Sequence, residues 1–256
     1  MSSHLELRAP LSRVDVIAAL RDTGFAVLGP DTVETAARVS IEALSGLERF
    51  WDDLPADAHL RDGGAYRFRR HSCFVHDVAR GDVLLTAHRA HYQPVTYNAL
   101  HGGMERWFSP LDTSLTTAPG FLSLVRGLGL LFAEARTEAQ WFVEAHAFRI
   151  DPREGVGRPT PEGAHRDGVD FVAVVLVDRQ GVRGGETRVF DADGPNGVRF
   201  SLRTPWSALL LDDPRVVHET TPILLDAPGG HRDTLVLTYR AGGFQSRLPL
   251  DPPALE

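Results

Sequence analysis

Apolar residues recur with two different periods along this chain, and the change from one to the other divides it. In the first part, Val33, Ala36, Ala37, Ile41, Leu44 and Leu47 fall at helical spacing and predict a helix over residues 32–51, opened by Asp31. A shorter helix is expected over 13–21, with Ser12 as N-cap and Gly24 as its stop, and a third over 120–136. Strands are expected over 25–29, 66–75 and 83–88. After residue 140 short β-rich runs follow one another: 141–150, 171–178, 186–191, 198–203, 208–212, 216–220 and 234–239. Turn signals such as GVRGG, DGPNG and APGG separate them. Many short strands in close succession favour a sandwich or barrel over βαβ units. The expected class is therefore mainly β with a helical layer. A helix-rich part over about 1–139 packs on a β core over about 140–241, within one domain spanning 1–256.

Composition narrows the partners. A chain of 256 residues that is 43% hydrophobic can bury one sizeable core. Every basic residue is Arg, since the sequence contains no Lys, and the net charge is -7. That acidic balance argues against nucleic acid or a membrane surface as partner, and the 4 Trp and 13 Phe suit a packed core. Cys73 is the single cysteine, which excludes an intrachain disulfide and a thiolate metal cluster. No apolar run reaches the length of a membrane-spanning helix, and the first residues lack a secretory pattern, so a cytoplasmic location is expected. A homodimer and a monomer are both left open.

The stretch PEGAHRDGVDFVAVVLVD carries the candidate chemistry. His165 and Asp167 stand two apart at the mouth of an apolar run, so on a strand both side chains share a face. Arg166 between them faces the other way. His218, in DDPRVVHETTPI, lies within a later β run that a barrel can bring beside the pair. Two His and one carboxylate with open coordination positions suit non-haem Fe(II), and a three-ligand catalytic zinc uses the same residue types. Arg232 and Thr234, in GHRDTLVLTYR, again share a strand face. A guanidinium fork beside a hydroxyl suits a carboxylate, which an iron enzyme chelating a 2-oxo acid requires and a zinc hydrolase does not.

His165-x-Asp167, His218 and Arg232-x-Thr234 resemble the H-x-D…H…R-x-S/T pattern of the Fe(II)/2-oxoglutarate-dependent dioxygenases. The surrounding segments AHRDGVDFVAVVLVDR, GGETRVFD and VVHETTPI are similar to the bacterial branch of isoleucine dioxygenase-like free-amino-acid hydroxylases. Looser likeness in YRFRRHSCF, QPVTYNALHGGMERWFSPL and EAHAFRI extends it over roughly residues 20 to 241. The resemblance implies a double-stranded β-helix (a cupin-like jelly roll) with the metal at its open end. It implies His165, Asp167 and His218 as iron ligands, and Arg232 with Thr234 at the distal carboxylate of 2-oxoglutarate. Fe(II), 2-oxoglutarate and O2 are the cofactor and co-substrates so implied. The implied reaction is hydroxylation of a free L-amino acid at an unactivated C–H bond, with release of succinate and CO2.

An amino-acid substrate needs a cation for its carboxylate. Arg67 and Arg69 share a strand face opposite Arg70, and Arg106 and Arg149 are further candidates. Gln93 and Asn98 can hydrogen-bond substrate or loop backbone, and Glu144 or Glu186 can take an ammonium. His146 reads as a packed or supporting histidine. Rival metal pairs, His71 with His76 or His88 with His91, lack the carboxylate two residues on and the later Arg-x-Thr. Other readings keep the chemistry on a carrier-bound, peptide or non-amino-acid substrate, or make the chain a jelly-roll metal- or ligand-binding protein without turnover.

Overall fold

The computed structural model describes residues 2–4, 10–98, 100 and 102–247. Ten strands frame the core: β1 (Phe25–Leu28), β2 (Arg67–Asp77), β3 (Asp82–Leu85), β4 (Gln140–Ile150), β5 (Phe171–Gln180), β6 (Thr187–Asp191), β7 (Gly197–Phe200), β8 (Ala208–Asp212), β9 (Val216–Thr220) and β10 (His231–Arg240). Seven of them form one antiparallel sheet in the order β1-β8-β5-β10-β4-β2-β3. A smaller sheet runs β7-β6-β9, and Ser2–His4 pairs in parallel with β7. The class is mainly β with a few helices, and the two facing sheets make a jelly-roll core.

Alternation along the strands decides which sheet face sees what. One face of the large sheet, with Val143, Ala145, Ala147, Leu235, Leu237 and Tyr239, packs on helices α1 (Arg13–Thr23), α2 (Pro30–Ala37) and α3 (Pro119–Ala135). Its opposite face packs partly on the small sheet, where Val172, Leu176, Leu209 and Leu211 meet Val189, Phe200 and Val216. The rest of that face mixes polar and apolar side chains and lines a cavity. The ladder aligns Arg69 of β2 with Phe148 of β4 and Thr234 of β10, and Arg67 with Ile150 and Arg232.

The expected helix over 32–51 is broken into pieces. Helix α2 ends where Arg38 turns left-handed at φ 53. Ser40 then caps a new turn, Ile41–Leu44, by accepting from the Ala43 N–H, and a 3-10 turn follows over Glu48–Trp51. The helical spacing persisted across these breaks because each piece buries its apolar residues in the same core, with Val33, Ala36 and Leu44 fully buried. The other two helices form as expected, α1 with a complete Ser12–Asp15 capping box. Helix α3 lies so near α2 that a Cβ at Gly127 would stand 1.7 Å from the Ala37 carbonyl oxygen, so only glycine fits. Among the described residues no helix is long and apolar enough to cross a membrane.

Candidate active site

The HRDG segment reaches the small sheet through one bridge. His165 and His218 exchange backbone hydrogen bonds of 3.0 Å each way, which sets their rings 4.6 Å apart. Asp167 completes the group, its Oδ1 3.8 Å from His165 Nε2 and its Oδ2 3.9 Å from His218 Nε2. One ligand atom from each residue lies within 4.8 Å of the others, the spacing of donors around one metal ion.

Local bonds orient these donors. His165 Nδ1 donates to the Gly163 carbonyl at 2.9 Å, so its Nε2 presents a lone pair inward. Burial, then the neighbouring His165, hold the His218 pKa well below the usual value, so that imidazole is neutral. Asp167 Oδ1 accepts from Gln93 Nε2 at 3.0 Å. Beneath the turn, Asp213 takes the backbone N–H groups of Asp167 at 2.9 Å, Gly168 at 2.8 Å and Val169 at 3.2 Å. Gly168 has φ +76, and a Cβ there would meet the Tyr97 ring at 2.4 Å. The donor set fits Fe(II): two imidazoles and one carboxylate on one side, with a cavity on the other.

That cavity, of about 140 Å³, runs between the two sheets. Arg232 lies on its wall, 4% exposed, with its Nε unpartnered and no acidic side chain in ion-pair contact among the described residues. Burial, then repulsion from Arg179, lower its pKa to about 10, so it remains cationic at neutral pH. Thr234 stands beside it on the same face, also buried. A buried guanidinium without a counter-charge is costly, and a bound carboxylate removes that cost.

Arg67, Arg69 and Arg106 converge on another part of the wall. Arg67 pairs with Asp57 at 2.7 Å, and Arg69 lies between the Phe108 and Phe148 rings, 3.8 and 4.4 Å from their centroids. Arg106 is 2% exposed, and its pKa is lowered to about 10 by burial, then by Arg67. Its NH2 group donates to Gln93 Oε1 at 2.9 Å, and the same oxygen accepts from Asn98 at 3.1 Å. Phe142, Phe148, Val174, Val236 and Phe244 supply apolar wall.

Of the residues expected from sequence, His165, Asp167, His218, Arg232, Thr234, Arg67, Arg69, Gln93, Asn98 and Arg106 all line this one cavity. Arg149 does not. It is odd-numbered on β4, where Glu144, His146, Phe148 and Ile150 face the cavity, and it points away to grip Asp233 at 2.7 and 2.8 Å. Glu186 pairs with Arg188 at 3.1 Å. Arg70 bonds the Pro110 carbonyl and Arg166 the Pro214 carbonyl, both off the site.

Neither rival histidine pair assembles. His76 packs inside against Gly129, and His88 stands against the Trp107 ring. Instead His71, His91 and His146 surround Glu144, whose Oε2 lies 3.2, 2.5 and 3.6 Å from their facing nitrogens. Burial opposes ionisation of Glu144, but His91 and the hydrogen bonds from His146, His71 and His91 outweigh it. The three imidazoles have lowered pKa values, burial being the largest cause in each. Arg69 NH2 donates to His146 Nδ1 at 2.8 Å, so His146 Nε2 carries its proton toward Glu144. The cluster is thus a carboxylate held by neutral N–H donors, beside a guanidinium that would repel a metal cation. Sequence reading missed this network and the roles of Asp213 and Glu162. The shared parity of Glu144 and His146 on β4 was the one available signal.

Comparison with known proteins agrees with this geometry. The 2OG-Fe dioxygenase family matches residues 48–238. The crystal structure of a bsmA homolog from Methylobium petroleophilum PM1 is 54% identical, with a TM-score of 0.91, over 96% of this chain and 100% of that one. IDO from Bacillus thuringiensis shares the fold at 18% identity and a TM-score of 0.73, over 94% and 100%. The Fe(II)/(alpha)ketoglutarate-dependent dioxygenase TqaL does so at 18% identity and a TM-score of 0.67, over 93% and 91%. No curated protein matches the chain.

Proposed function

The chain belongs to the 2OG-Fe dioxygenase family, and we propose that within it this protein hydroxylates a free L-amino acid at an unactivated C–H bond. The observation that carries the reading is Arg106, a buried guanidinium on the cavity wall whose side-chain hydrogen bond, among the described residues, goes to the neutral Gln93. Such a group suits a small anion, and Arg67 and Arg69 beside it reinforce that preference. The apolar wall of Phe142, Phe148, Val174, Val236 and Phe244 suits a hydrocarbon side chain.

In this reading His165, Asp167 and His218 hold Fe(II), and Arg232 with Thr234 holds the distal carboxylate of 2-oxoglutarate. Iron with 2-oxoglutarate and O2 supplies the oxidising power, one oxygen atom going to the substrate while succinate and CO2 leave. The protein's own part is geometric. Gly163 fixes the tautomer of His165, and Gln93 and Asp213 fix the position of Asp167. The arginines set the substrate's carboxylate, and the apolar wall excludes bulk water around the bond to be oxidised.

The test is incubation of protein with Fe(II), ascorbate, 2-oxoglutarate and a panel of free L-amino acids, reading succinate and product mass. A gain of one oxygen with stoichiometric succinate supports the reading. Iron-loaded protein giving no succinate above the substrate-free level with any amino acid would sink it.

A further inference from the structure

Glu162 stands three residues before His165, and its side chain is 12% exposed. Its Oε1 lies 3.7 Å from His165 Nε2, the nitrogen that faces the metal position. Its Oε2 is sealed from solvent and has no hydrogen-bond partner among the described residues. Burying a carboxylate oxygen without a donor is costly, so such an oxygen marks a place where a donor is expected. Glu162 does not join the set of donor atoms that lie within 4.8 Å of one another in His165, Asp167 and His218, so it is not placed as a fourth ligand.

Glu162 shares the cavity with Arg106. The two carry opposite charge, yet no ion pair joins them. A ligand that carries both signs can span such a gap, with its anion at the guanidinium and its cation at the carboxylate. The other acids nearby are already engaged. Glu144 accepts from His71 and His91 and has His146 at 3.6 Å, and Asp57 is paired with Arg67. We propose that Glu162 is the binding subsite for the ammonium group of the substrate. This rests on the amino-acid reading above and deepens it, because it places the amine beside His165 in the cavity whose wall also carries the Arg106 carboxylate subsite. The contact is a charge-assisted N–H···O bond formed on binding, with no covalent step.

The test compares wild type, Glu162→Gln and Glu162→Asp, each loaded with Fe(II) and 2-oxoglutarate and held without O2. Calorimetric affinity is measured for each protein L-amino acid, then for the 2-hydroxy acid matching the tightest binder. Wild type should bind the amino acid at least about tenfold tighter than its hydroxy analogue. Glu162→Gln should weaken amino-acid binding by about 10- to 100-fold while changing the hydroxy acid less than about threefold. Glu162→Asp should fall between, and iron content should stay the same in all three. Equal wild-type affinity for amino and hydroxy acid overturns the proposal, even if Glu162→Gln proves unstable. So does equal weakening of both ligands, or loss of iron, which would make Glu162 a ligand. If wild type binds no free amino acid at all, the substrate reading itself has failed and takes this subsite with it.

Discussion

Gln93 donates from Nε2 to Asp167 Oδ1 at 3.0 Å, which ties a loop residue 74 positions away to a proposed iron ligand. The other end of the same amide accepts from Arg106, so one side chain joins the anion subsite to the metal position. Gln93→Ala is expected to weaken Fe(II) binding by about 10- to 100-fold, the usual effect of removing a group that orients a ligand. It should also lower the ratio of hydroxylated product to succinate, because Arg106 loses its partner at the same time. Iron titration and the product ratio check this together, and a variant with unchanged iron affinity would remove Gln93 from the role.

Arg232 is expected to dominate affinity for 2-oxoglutarate. Replacing it with Met keeps much of the packing and removes the cation. The KM for 2-oxoglutarate should then rise by more than about a hundredfold, roughly 3 kcal/mol for a desolvated charge pair. Iron content should not change, since Arg232 touches none of the three proposed ligands. Initial rates against 2-oxoglutarate concentration decide it, and an unchanged KM would place the co-substrate elsewhere.

Much of this site was legible before folding, and the reason is strand parity. Residues two apart on a strand share a face, so His165 with Asp167, and Arg232 with Thr234, declared themselves as pairs. The same rule excluded Arg149 once the cavity face of β4 was known, but nothing local says which parity faces inward. Spacing alone predicts one helix over 32–51 where the chain forms separate pieces, because helical spacing survives a break when both pieces lie on one core. Asp213 and Glu162 stayed hidden for another reason. Their importance lies in what they touch, or lack, after long-range pairing brings 213 under 167 and buries the Glu162 Oε2.

Asp213 holds the metal-bearing turn from below. Three backbone N–H groups converge on its carboxylate, which is 1% exposed. Asp213→Ala leaves those donors without their acceptor, at a cost of about 2–3 kcal/mol. The melting temperature should fall by several degrees, and iron affinity should fall with it as Asp167 loses its fixed position. Asp213→Asn keeps one acceptor oxygen, enough for the Gly168 and Val169 N–H groups, but turns its NH2 toward the Asp167 N–H, so it should recover part of the stability and little of the iron affinity. Thermal melts and iron titration of both variants test the point, and wild-type behaviour in the Asn variant would show that shape alone suffices.

Iron binding should depend on pH through one proton. Burial lowers the pKa of His165, but Asp167 and then Glu162 outweigh it, so the metal-free imidazole titrates above the usual value for histidine. His218 is shifted the opposite way by burial and by His165, and is already neutral near pH 7. A metal takes only the neutral form, so binding must displace a proton from His165 and none from His218. The sign follows. Below the His165 pKa, each unit fall in pH should weaken Fe(II) binding about tenfold, and above it the affinity should level off. Anaerobic Fe(II) titrations from pH 6 to 8 measure the slope. A slope near two would mean that His218 also carries a proton, and a flat profile would mean that neither imidazole does.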